Sequence, residues 1–565
     1  MGILCTMSAE PNRQAPNDIS ILIAGRAGYG IDKAGALIAG LLGRLGYRLY
    51  IYRDYPSLIR GGHTFSLIRA SGQRVNAHRN KIDFLLALNQ EAIDLHKDML
   101  KEGGLVVYDS DSVKASGIGL PIGAILKEAG APEIASNTCL IGAFAKTSGL
   151  EWSLLEEVIR QNMAKEIDLN LQVARRGYDA VGGTAQIPKL NQAPLPVLTG
   201  NETLSRGLIA AGLKAYIAYP MTPSSTILST MAEQAAAHKL KVIQPESEIA
   251  VMLMALGFSY AGTKVAVGTS GGGFCLMTEG VSFDGMAELP LVIIVGQRTG
   301  PSTGLPTYTG QTELHFVLNA GQGEFPRFIV APGDAEEAYY WGAVSLNLAW
   351  RFQVPAFILT DKTMAEGSFN FDLNAIKPVK EEAGAPWDGG QPYKRYLDTP
   401  TGVSPLAFPG AQDAVVKINS YEHDEAGLTI EAAAVTKKMA DKRLRKEIFL
   451  YQELAKYEAV KVYGETSSAT ALLCWGSNKG VCVETAEKFK LKVVQPLVLS
   501  PFPVEQFTAA LKGIKKLICV ENNATGQLVK LLKLNGLAVD ASINKYDGRP
   551  FDLDELEQRV GEVVK

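Results

Sequence analysis

The sequence has little cysteine and no arrangement of cysteines that would hold a metal cluster. Six cysteines occur in 565 residues, and no two of them form a C-x-x-C pair. The chain therefore lacks the run of four cysteines that iron–sulfur clusters use. The six histidines are scattered as well, and we predict no metal site built from this chain alone. Most cysteines stand in apolar, strand-like surroundings typical of buried, reduced thiols in the cytosol; they are Cys5, Cys139, Cys275, Cys474, Cys482 and Cys519.

Long apolar runs and a strong excess of charge are also missing. No uninterrupted apolar stretch reaches about 18 residues, so we expect no membrane span. The formal net charge is −3, which gives no reason to expect a nucleic-acid partner. Residues 1–16 contain proline and polar residues without the apolar core of a signal peptide. We therefore expect a disordered tail there and a cytoplasmic protein.

The length and the recurring strand, glycine-turn and helix patterns predict an α/β fold of several doubly wound domains. Residues 191–199 are rich in proline and are interpreted as a linker. We divide the rest into α/β segments at 17–190, 200–372 and 467–565, with an irregular Pro/Gly-rich extension and a basic helix at 373–466. The Lys/Arg run on the predicted helix from Ala432 to Lys456 is interpreted as a solvated helix face.

A glycine turn follows the first apolar strand, at Gly25–Gly30. Gly28 and Gly30 could bring backbone N–H groups and a helix start against a phosphate. The spacing departs from G-x-G-x-x-G, so we reject a nicotinamide-binding site. Arg53 and Arg60 concentrate cations near the same edge, which fits either an anionic ligand or an arginine-rich subunit interface.

Two polar turns follow predicted strands of the middle segment, at Ala218–Thr226 and Gln297–Gly304. Their prolines fix φ and remove backbone donors, which makes the turns rigid. Open α/β sheets bind ligands at the carboxyl ends of parallel strands, where these turns are expected. An arginine fork from Arg298 together with a threonine hydroxyl from Thr222 suits a small carboxylate substrate.

An acidic helix start precedes a strongly apolar helix in the same segment, with Glu246 and Glu248 as its two acids. An acid in a first helical turn can be no more than a favourable contact with the helix dipole. Because Glu248 is followed directly by apolar residues, we expect its carboxylate to be desolvated, which suits a group that shares a proton with a ring nitrogen. The run Gly271–Phe274 follows another strand and allows either a ligand over its backbone or close strand–helix packing.

These motifs resemble the 2-oxoacid:ferredoxin oxidoreductases, in particular an α subunit with the γ domain fused at its N-terminus. One departure is the turn Gly25–Gly30, where that family more usually has a denser G-x-G-G-Q-G, and another is Leu406, where a basic residue is expected. The matching stretches are Tyr219–Ser225, Glu246–Ala250, Thr269–Phe274, Gln297–Thr307, Gly402–Pro405 and Tyr421–Glu425.

The resemblance implies a thiamine diphosphate enzyme that oxidatively decarboxylates a 2-oxoacid, transfers the acyl group to coenzyme A and reduces ferredoxin, or runs in reverse. Its segments would be a γ-type domain, a pyrimidine-binding domain and a transketolase-C-like domain. Glu248 would hydrogen-bond the pyrimidine N1′, with Glu246 as its rival, and Thr222 and Arg298 would bind the substrate carboxylate. Further implied contacts are Tyr219, Ser224 and Ser302 near the substrate, Gly271, Gly272 and Phe274 near the cofactor, and Gly28, Gly30, Arg53 and Arg60 near coenzyme A.

The resemblance also implies a partner, because the chain has no G-D-G followed by Asn to hold Mg²⁺ and the diphosphate. A β subunit would carry Mg²⁺, the diphosphate side and a 4Fe–4S cluster, in an α2β2 assembly. We expect 2-oxoglutarate as the substrate, with pyruvate or a broad range of 2-oxoacids as the alternative. A non-catalytic assembly or binding subunit is the alternative of a different class.

Overall fold

The computed structural model describes residues 13–14, 18–58, 61–163 and 165–564. Arg60, Cys5 and the predicted tail lie outside the described residues, except that Arg13–Gln14 pair in parallel with Ala185–Gln186. The chain forms two compact units. The first contains Met1–Val197, Gly367–Phe371 and Asp552–Asp554, and the second contains Leu198–Glu366, Asp372–Phe551 and Glu555–Lys565.

The first unit is a mixed sheet with helices packed on it around a core of buried Ile, Leu and Ala side chains. The predicted strand and the helix after the glycine turn are confirmed at Asp18–Arg26 and Ile31–Arg44. In spatial order the strands are Ile118–Leu120, Leu100–Asp109, Ile82–Ala87, Asp18–Arg26, His63–Ser71, Arg48–Asp54 and Ser368–Asn370. The short strand Val197–Thr199 begins at Val197, where the first range of this unit ends. The helices are Ile31–Arg44, Gln90–His96, Ile122–Ala129, Ser136–Thr147, Trp152–Asn162 and Ile167–Asp179.

The second unit contains the predicted βαβ segment as a largely parallel sheet. The predicted strands are confirmed with small differences at their ends, and only the edge strand Val498–Ser500 runs antiparallel among the described strands of this sheet. In spatial order the strands are Lys241–Ile243, Ala215–Ile217, Val265–Ser270, Leu291–Gln297, Pro355–Asp361, Phe328–Val330 and Val498–Ser500. The helices around it are Gly200–Ala210, Ser225–His238, Glu248–Tyr260, Gly271–Ala287, Leu314–Asn319, Ala335–Phe352 and Lys362–Glu366.

A smaller sheet of the second unit is formed by the C-terminal segment. Its strands, in spatial order, are Val460–Gly464, Lys492–Pro496, Thr470–Cys474, Lys516–Glu521 and Ala541–Asn544. Its helices are Asn478–Phe489, Val504–Ala510, Gln527–Leu534 and Leu553–Val564. Residues 376–432, all of them described, contain no helix and only isolated bridges. Nowhere in the described chain is there a helix long and apolar enough to cross a membrane.

The basic helix is confirmed at Ala433–Glu453. Its interpretation as a solvated face holds for the exposed Lys437 and Lys438 but is wrong for the second half of the Lys/Arg run. Lys442 and Lys446 are almost completely buried, and both form ion pairs with Glu288. Burial alone would raise the pKa of Glu288, but the two lysines outweigh it and hold that pKa well below its usual range. The i, i+4 spacing places both lysines on one helix face. The sequence showed that the two residues are charged, but it did not show that they pair with Glu288, which lies 154 residues from Lys442.

Candidate functional site

The two predicted polar turns meet at the carboxyl ends of the parallel strands Ala215–Ile217 and Leu291–Gln297, which lie on either side of Val265–Ser270. The Nη1 group of Arg298 donates a hydrogen bond to the carbonyl oxygen of Thr222 at 3.0 Å. Pro223 packs over Gly296, where a Cβ atom would lie 3.0 Å from the proline ring. Thr222 and Arg298, which we predicted to act together on a carboxylate, are therefore adjacent.

Glu248 is the first residue of the helix Glu248–Tyr260, which we call the glutamate helix. Ser247 caps this helix, its Oγ accepting a hydrogen bond from the Ala250 amide at 3.4 Å. Glu248 is 4% exposed, whereas Glu246 is exposed. The Oε1 atom of Glu248 has no hydrogen-bond partner within the described part of the chain. An unpartnered buried carboxylate oxygen is costly, so this atom is well suited to meet a ligand.

The helix Gly271–Ala287, which we call the glycine helix, begins between two carboxylates. A Cβ atom on Gly273 would lie 2.6 Å from Oε1 of Glu248. A Cβ atom on Gly271 would lie 2.5 Å from Oε1 of Glu313. Glycine is therefore required at both positions by close contact.

The remaining residues predicted near the substrate differ in exposure. Tyr219 and Ser302 are exposed, while Ser224 is buried and its hydroxyl donates a hydrogen bond to the Met221 carbonyl at 2.9 Å. Gly272 is exposed, and the nearest atom to a Cβ placed there is the Ser302 carbonyl oxygen at 3.8 Å. The Ser302 turn therefore lies beside the start of the glycine helix.

Phe274 occupies the core of the second unit. Its ring is fully buried and packs edge-on against Phe316 and Phe357, with ring centroids 5.0 and 5.7 Å away. The side chain thus anchors the glycine helix in the core. This leaves Gly272 as the exposed residue of that motif.

The described residues predicted for coenzyme A lie in the first unit. Gly28 and Gly30 have φ angles of 101° and 68°, in the left-handed region that favours glycine. The side-chain amide of Asn137 donates a hydrogen bond to the Gly30 carbonyl at 3.1 Å and supports this turn. The Nε group of Arg53 lies 3.9 Å from a carboxylate oxygen of Asp32, in the first turn of the helix Ile31–Arg44 that follows the glycine turn. The turn and the arginine are therefore close to the same helix start.

Glu313 is a buried site residue that sequence reasoning missed. Its backbone amide donates a hydrogen bond to Oε1 of Gln297 at 3.2 Å, and the Thr312 hydroxyl donates to its Oε1 at 2.9 Å. Burial raises the pKa of Glu313 to about 7, against the lowering effect of Thr312 and Arg298. The signal in the sequence was the polar triplet Gln311–Glu313 directly before a short apolar helix.

Buried polar atoms without hydrogen-bond partners among the described residues lie around these strand ends. Most buried polar atoms in folded proteins are paired, and exceptions often mark a ligand or water site. Ser270 and Thr360 stand at or next to the ends of their strands. The unpartnered atoms are Oε1 of Glu248, Oγ of Ser270, Nε of Arg298, Oγ1 of Thr307, Oε2 of Glu313 and Oγ1 of Thr360. We therefore place the candidate ligand site here.

Comparison with known proteins identifies the family. Residues 206–442 match the family model for the thiamine diphosphate-binding region of pyruvate flavodoxin/ferredoxin oxidoreductase, and residues 20–180 match that for pyruvate ferredoxin/flavodoxin oxidoreductase. The chain is 30% identical to the 2-oxoacid:ferredoxin oxidoreductase subunit alpha of Saccharolobus solfataricus, over 97% of this chain and 98% of the relative. The chain belongs to the 2-oxoacid:ferredoxin oxidoreductase family.

Further members of this oxidoreductase family are named for one substrate. The 2-oxoglutarate oxidoreductase subunit KorA of Mycobacterium tuberculosis is 28% identical over 97% of this chain and 92% of its own. The 2-oxoglutarate:ferredoxin oxidoreductase from Magnetococcus marinus, solved with 2-oxoglutarate, coenzyme A and succinyl-CoA bound, has a TM-score of 0.87 at 28% identity and covers 98% of this chain and 100% of its own. The predicted family, the α/β fold and the α-subunit type are confirmed.

Proposed function

We propose that this chain is the α subunit of an enzyme that oxidatively decarboxylates 2-oxoglutarate with coenzyme A, giving succinyl-CoA, CO2 and reduced ferredoxin, and that the reaction is reversible. The unpartnered Oε1 atom of Glu248 beside the glycine helix carries the proposal. The choice of 2-oxoglutarate is supported by the names of the Mycobacterium and Magnetococcus relatives. The Saccharolobus relative is named for 2-oxoacids in general, so pyruvate or a broad range is the alternative.

The residues present fit the pyrimidine side of thiamine diphosphate. Glu248 would hold the proton that it shares with the ring nitrogen N1′, through the Oε1 atom that lacks a partner among the described residues. The backbone of Gly271 and Gly272 would lie against the same ring, because neither residue has a side chain to exclude it. When bound, this cofactor supplies the electron sink that decarboxylation of a 2-oxoacid requires. The exposed Glu246 is the weaker rival for the N1′ contact.

Arg298 and Thr222 would hold the carboxylate that is lost as CO2. The Nη1 group of Arg298 is already oriented by the Thr222 carbonyl, and its Nε has no partner in the described chain. A planar guanidinium can bind a carboxylate through two parallel hydrogen bonds, which fixes the orientation of the carboxylate. The Thr222 hydroxyl would add a third bond, and Tyr219, Ser224 and Ser302 would line the approach.

A β subunit would supply the other half of the site. The chain has no G-D-G followed by Asn and no C-x-x-C pair, so we assign Mg²⁺, the diphosphate and a 4Fe–4S cluster to that partner. Ferredoxin would be the electron acceptor of an α2β2 assembly. An exposed apolar surface beside the Glu248 position supports such a partner, because monomers rarely expose contiguous apolar patches. This apolar face surrounds a cavity of ≈ 340 Å³ and comprises Ile249, Leu253 and Leu276, which are 50, 52 and 51% exposed.

Coenzyme A would bind to the first unit. The left-handed turn at Gly28 and Gly30 leads directly into a helix start, which is a favourable position for a phosphate group. Arg53, held near Asp32, would add a positive charge, and Arg60 would add another. Replacement of Arg53 by alanine is expected to raise the KM for coenzyme A and to leave the KM for the 2-oxoacid unchanged.

The variant Glu248→Gln tests the proposal in the assembled αβ enzyme, with Glu246→Gln as its matched control. Loss of a positioned proton-transfer group reduces turnover by about 100-fold or more. We expect this loss for Glu248→Gln, with folding and β binding unchanged, and near-normal turnover for Glu246→Gln. Full activity of Glu248→Gln would instead support a non-catalytic assembly subunit.

A further inference from the structure

Glu313 is a buried acid at the candidate site that the proposed chemistry does not use. It is 8% exposed, and its Oε2 atom has no hydrogen-bond partner among the described residues. Burying a carboxylate with so few hydrogen bonds is unfavourable unless the group is neutral or a ligand supplies a partner. Burial of Glu313 at this site therefore does not stabilise the fold.

The Glu313 carboxylate is fixed between the Arg298 turn and the glycine helix. The Thr312 hydroxyl lies 3.2 Å from the Arg298 carbonyl oxygen and 2.9 Å from Oε1 of Glu313. The Glu313 amide is bonded to the Gln297 side chain, next to Arg298 in sequence. On its other side, Oε1 faces Gly271 closely enough that a Cβ atom there would be 2.5 Å away. The acid is thus held against the turn that carries the arginine expected to bind substrate.

We infer that Glu313 is a positioning residue that couples substrate binding to proton uptake. The Glu313 carboxyl group is neutral when Arg298 holds the substrate carboxylate. When it is ionised, it competes with the substrate for Arg298. The inference rests on the proposed role of Arg298. Where Glu313 is ionised before binding, one proton passes from solvent to its carboxylate as the anionic substrate binds. No bond of the substrate changes in this step.

The charges around Glu313 set the pH range. Burial raises its pKa most, Arg298 lowers it, and Asp361 on the neighbouring strand raises it, to give about 7. Glu248 lies against the same first turn of the glycine helix. His315, on the helix that follows Glu313, has its Nε2 atom within hydrogen-bond distance of the Gln527 carbonyl oxygen, at 2.9 Å. Glu313 is therefore neutral below about pH 7 and ionised above it. The affinity for the 2-oxoacid should fall as the pH rises through this value.

The test is the pH profile of kcat and KM for the assembled αβ enzyme, with whichever 2-oxoacid it turns over. For the wild type, kcat/KM for the 2-oxoacid should fall by up to about tenfold per pH unit above the Glu313 pKa, through KM and not kcat. Glu313→Gln should remove this fall and keep KM at its low-pH value. Glu313→Asp should retain the fall, and the exposed Glu233→Gln should behave as the wild type.

Calorimetry with glutarate, an unreactive dicarboxylate, gives a second readout. Binding measured above pH 7 in buffers of different ionisation enthalpy should show uptake of up to one proton in the wild type and none in Glu313→Gln. A flat wild-type KM profile, or a Glu313→Gln variant with a raised KM at every pH, would overturn the inference. If the enzyme turns over pyruvate and not 2-oxoglutarate, only the proposed substrate is wrong. The pH profile is then measured with pyruvate and still tests the role of Glu313.

Discussion

The absence of a side chain on Gly273 leaves the space that the Glu248 carboxylate occupies. A Cβ atom on Gly273 would lie 2.6 Å from Oε1 and 3.0 Å from Cγ of Glu248. Real Cβ atoms essentially never come within 2.6 Å of an oxygen, and the close-packed interior leaves the carboxylate little room to move away. The start of the glycine helix and the start of the glutamate helix are therefore matched to each other.

Gly273→Ala should displace the Thr269 hydroxyl, which would lie closest to the added Cβ, together with the Glu248 carboxylate. Turnover should fall by about 100-fold, since small misplacement of a reacting group has effects of this size. Gly257→Ala, on the glutamate helix with no atom within 4 Å of the added Cβ, is the matched control. That control should keep activity and gain up to about 1 kcal/mol of stability from helix propensity. Steady-state assays and thermal unfolding of both variants check the prediction, which fails if Gly273→Ala retains normal kcat.

Arg298→Lys should raise the KM for the 2-oxoacid by about 10- to 100-fold, the loss expected for a hydrogen bond to a charged group. A lysine ammonium has no planar fork and would not reproduce both the Thr222 contact and a two-bond carboxylate contact. The KM for coenzyme A, measured in the same assays, serves as the internal control. An unchanged KM for the 2-oxoacid would place substrate binding elsewhere.

Leu253→Asp should weaken binding of the β subunit by about tenfold or more, because it puts a charge into the apolar face that we expect the partner to bury. Leu534→Asp is the control, since Leu534 is 78% exposed on a different helix of the second unit. Sedimentation velocity of the mixed subunits measures both. Equal binding by the two variants would mean that β covers another surface.

Glu288→Gln should destabilise the second unit by about 3–5 kcal/mol, because it leaves the buried Lys442 and Lys446 without their carboxylate. Urea unfolding followed by tryptophan fluorescence measures the change. Glu279→Gln, at an exposed position on the glycine helix that ends just before Glu288, should change stability by no more than about 0.5 kcal/mol. Similar unfolding curves for the two variants would show that the ion pairs do not stabilise the fold.

The strands and polar turns of the middle segment were predictable because their signals are local. Apolar periodicity gave the strands, and prolines with hydroxyls gave the Thr222 and Arg298 turns at their ends. The antiparallel strands Arg48–Asp54 and His63–Ser71 were missed because their arginines were interpreted as part of a cationic edge and not as residues of a strand.

The buried ion cluster and Glu313 were not predictable in the same way. Lys442 is paired with an acid 154 residues away, and a sequence pattern does not show such a partner. Glu313 looked like an ordinary polar residue before a short helix, and its burial arises from the glycine helix packing against it. Both depend on tertiary contacts, which also decide that Glu248 and not Glu246 is buried.

The most direct test of the account is co-expression of this chain with a β-type chain of the same family, followed by an anaerobic assay of coenzyme A-dependent 2-oxoglutarate oxidation with a viologen dye. We predict activity that requires both chains and thiamine diphosphate. A stable complex with a loaded iron–sulfur cluster that oxidises no 2-oxoacid would contradict the assignment of catalytic groups to this chain.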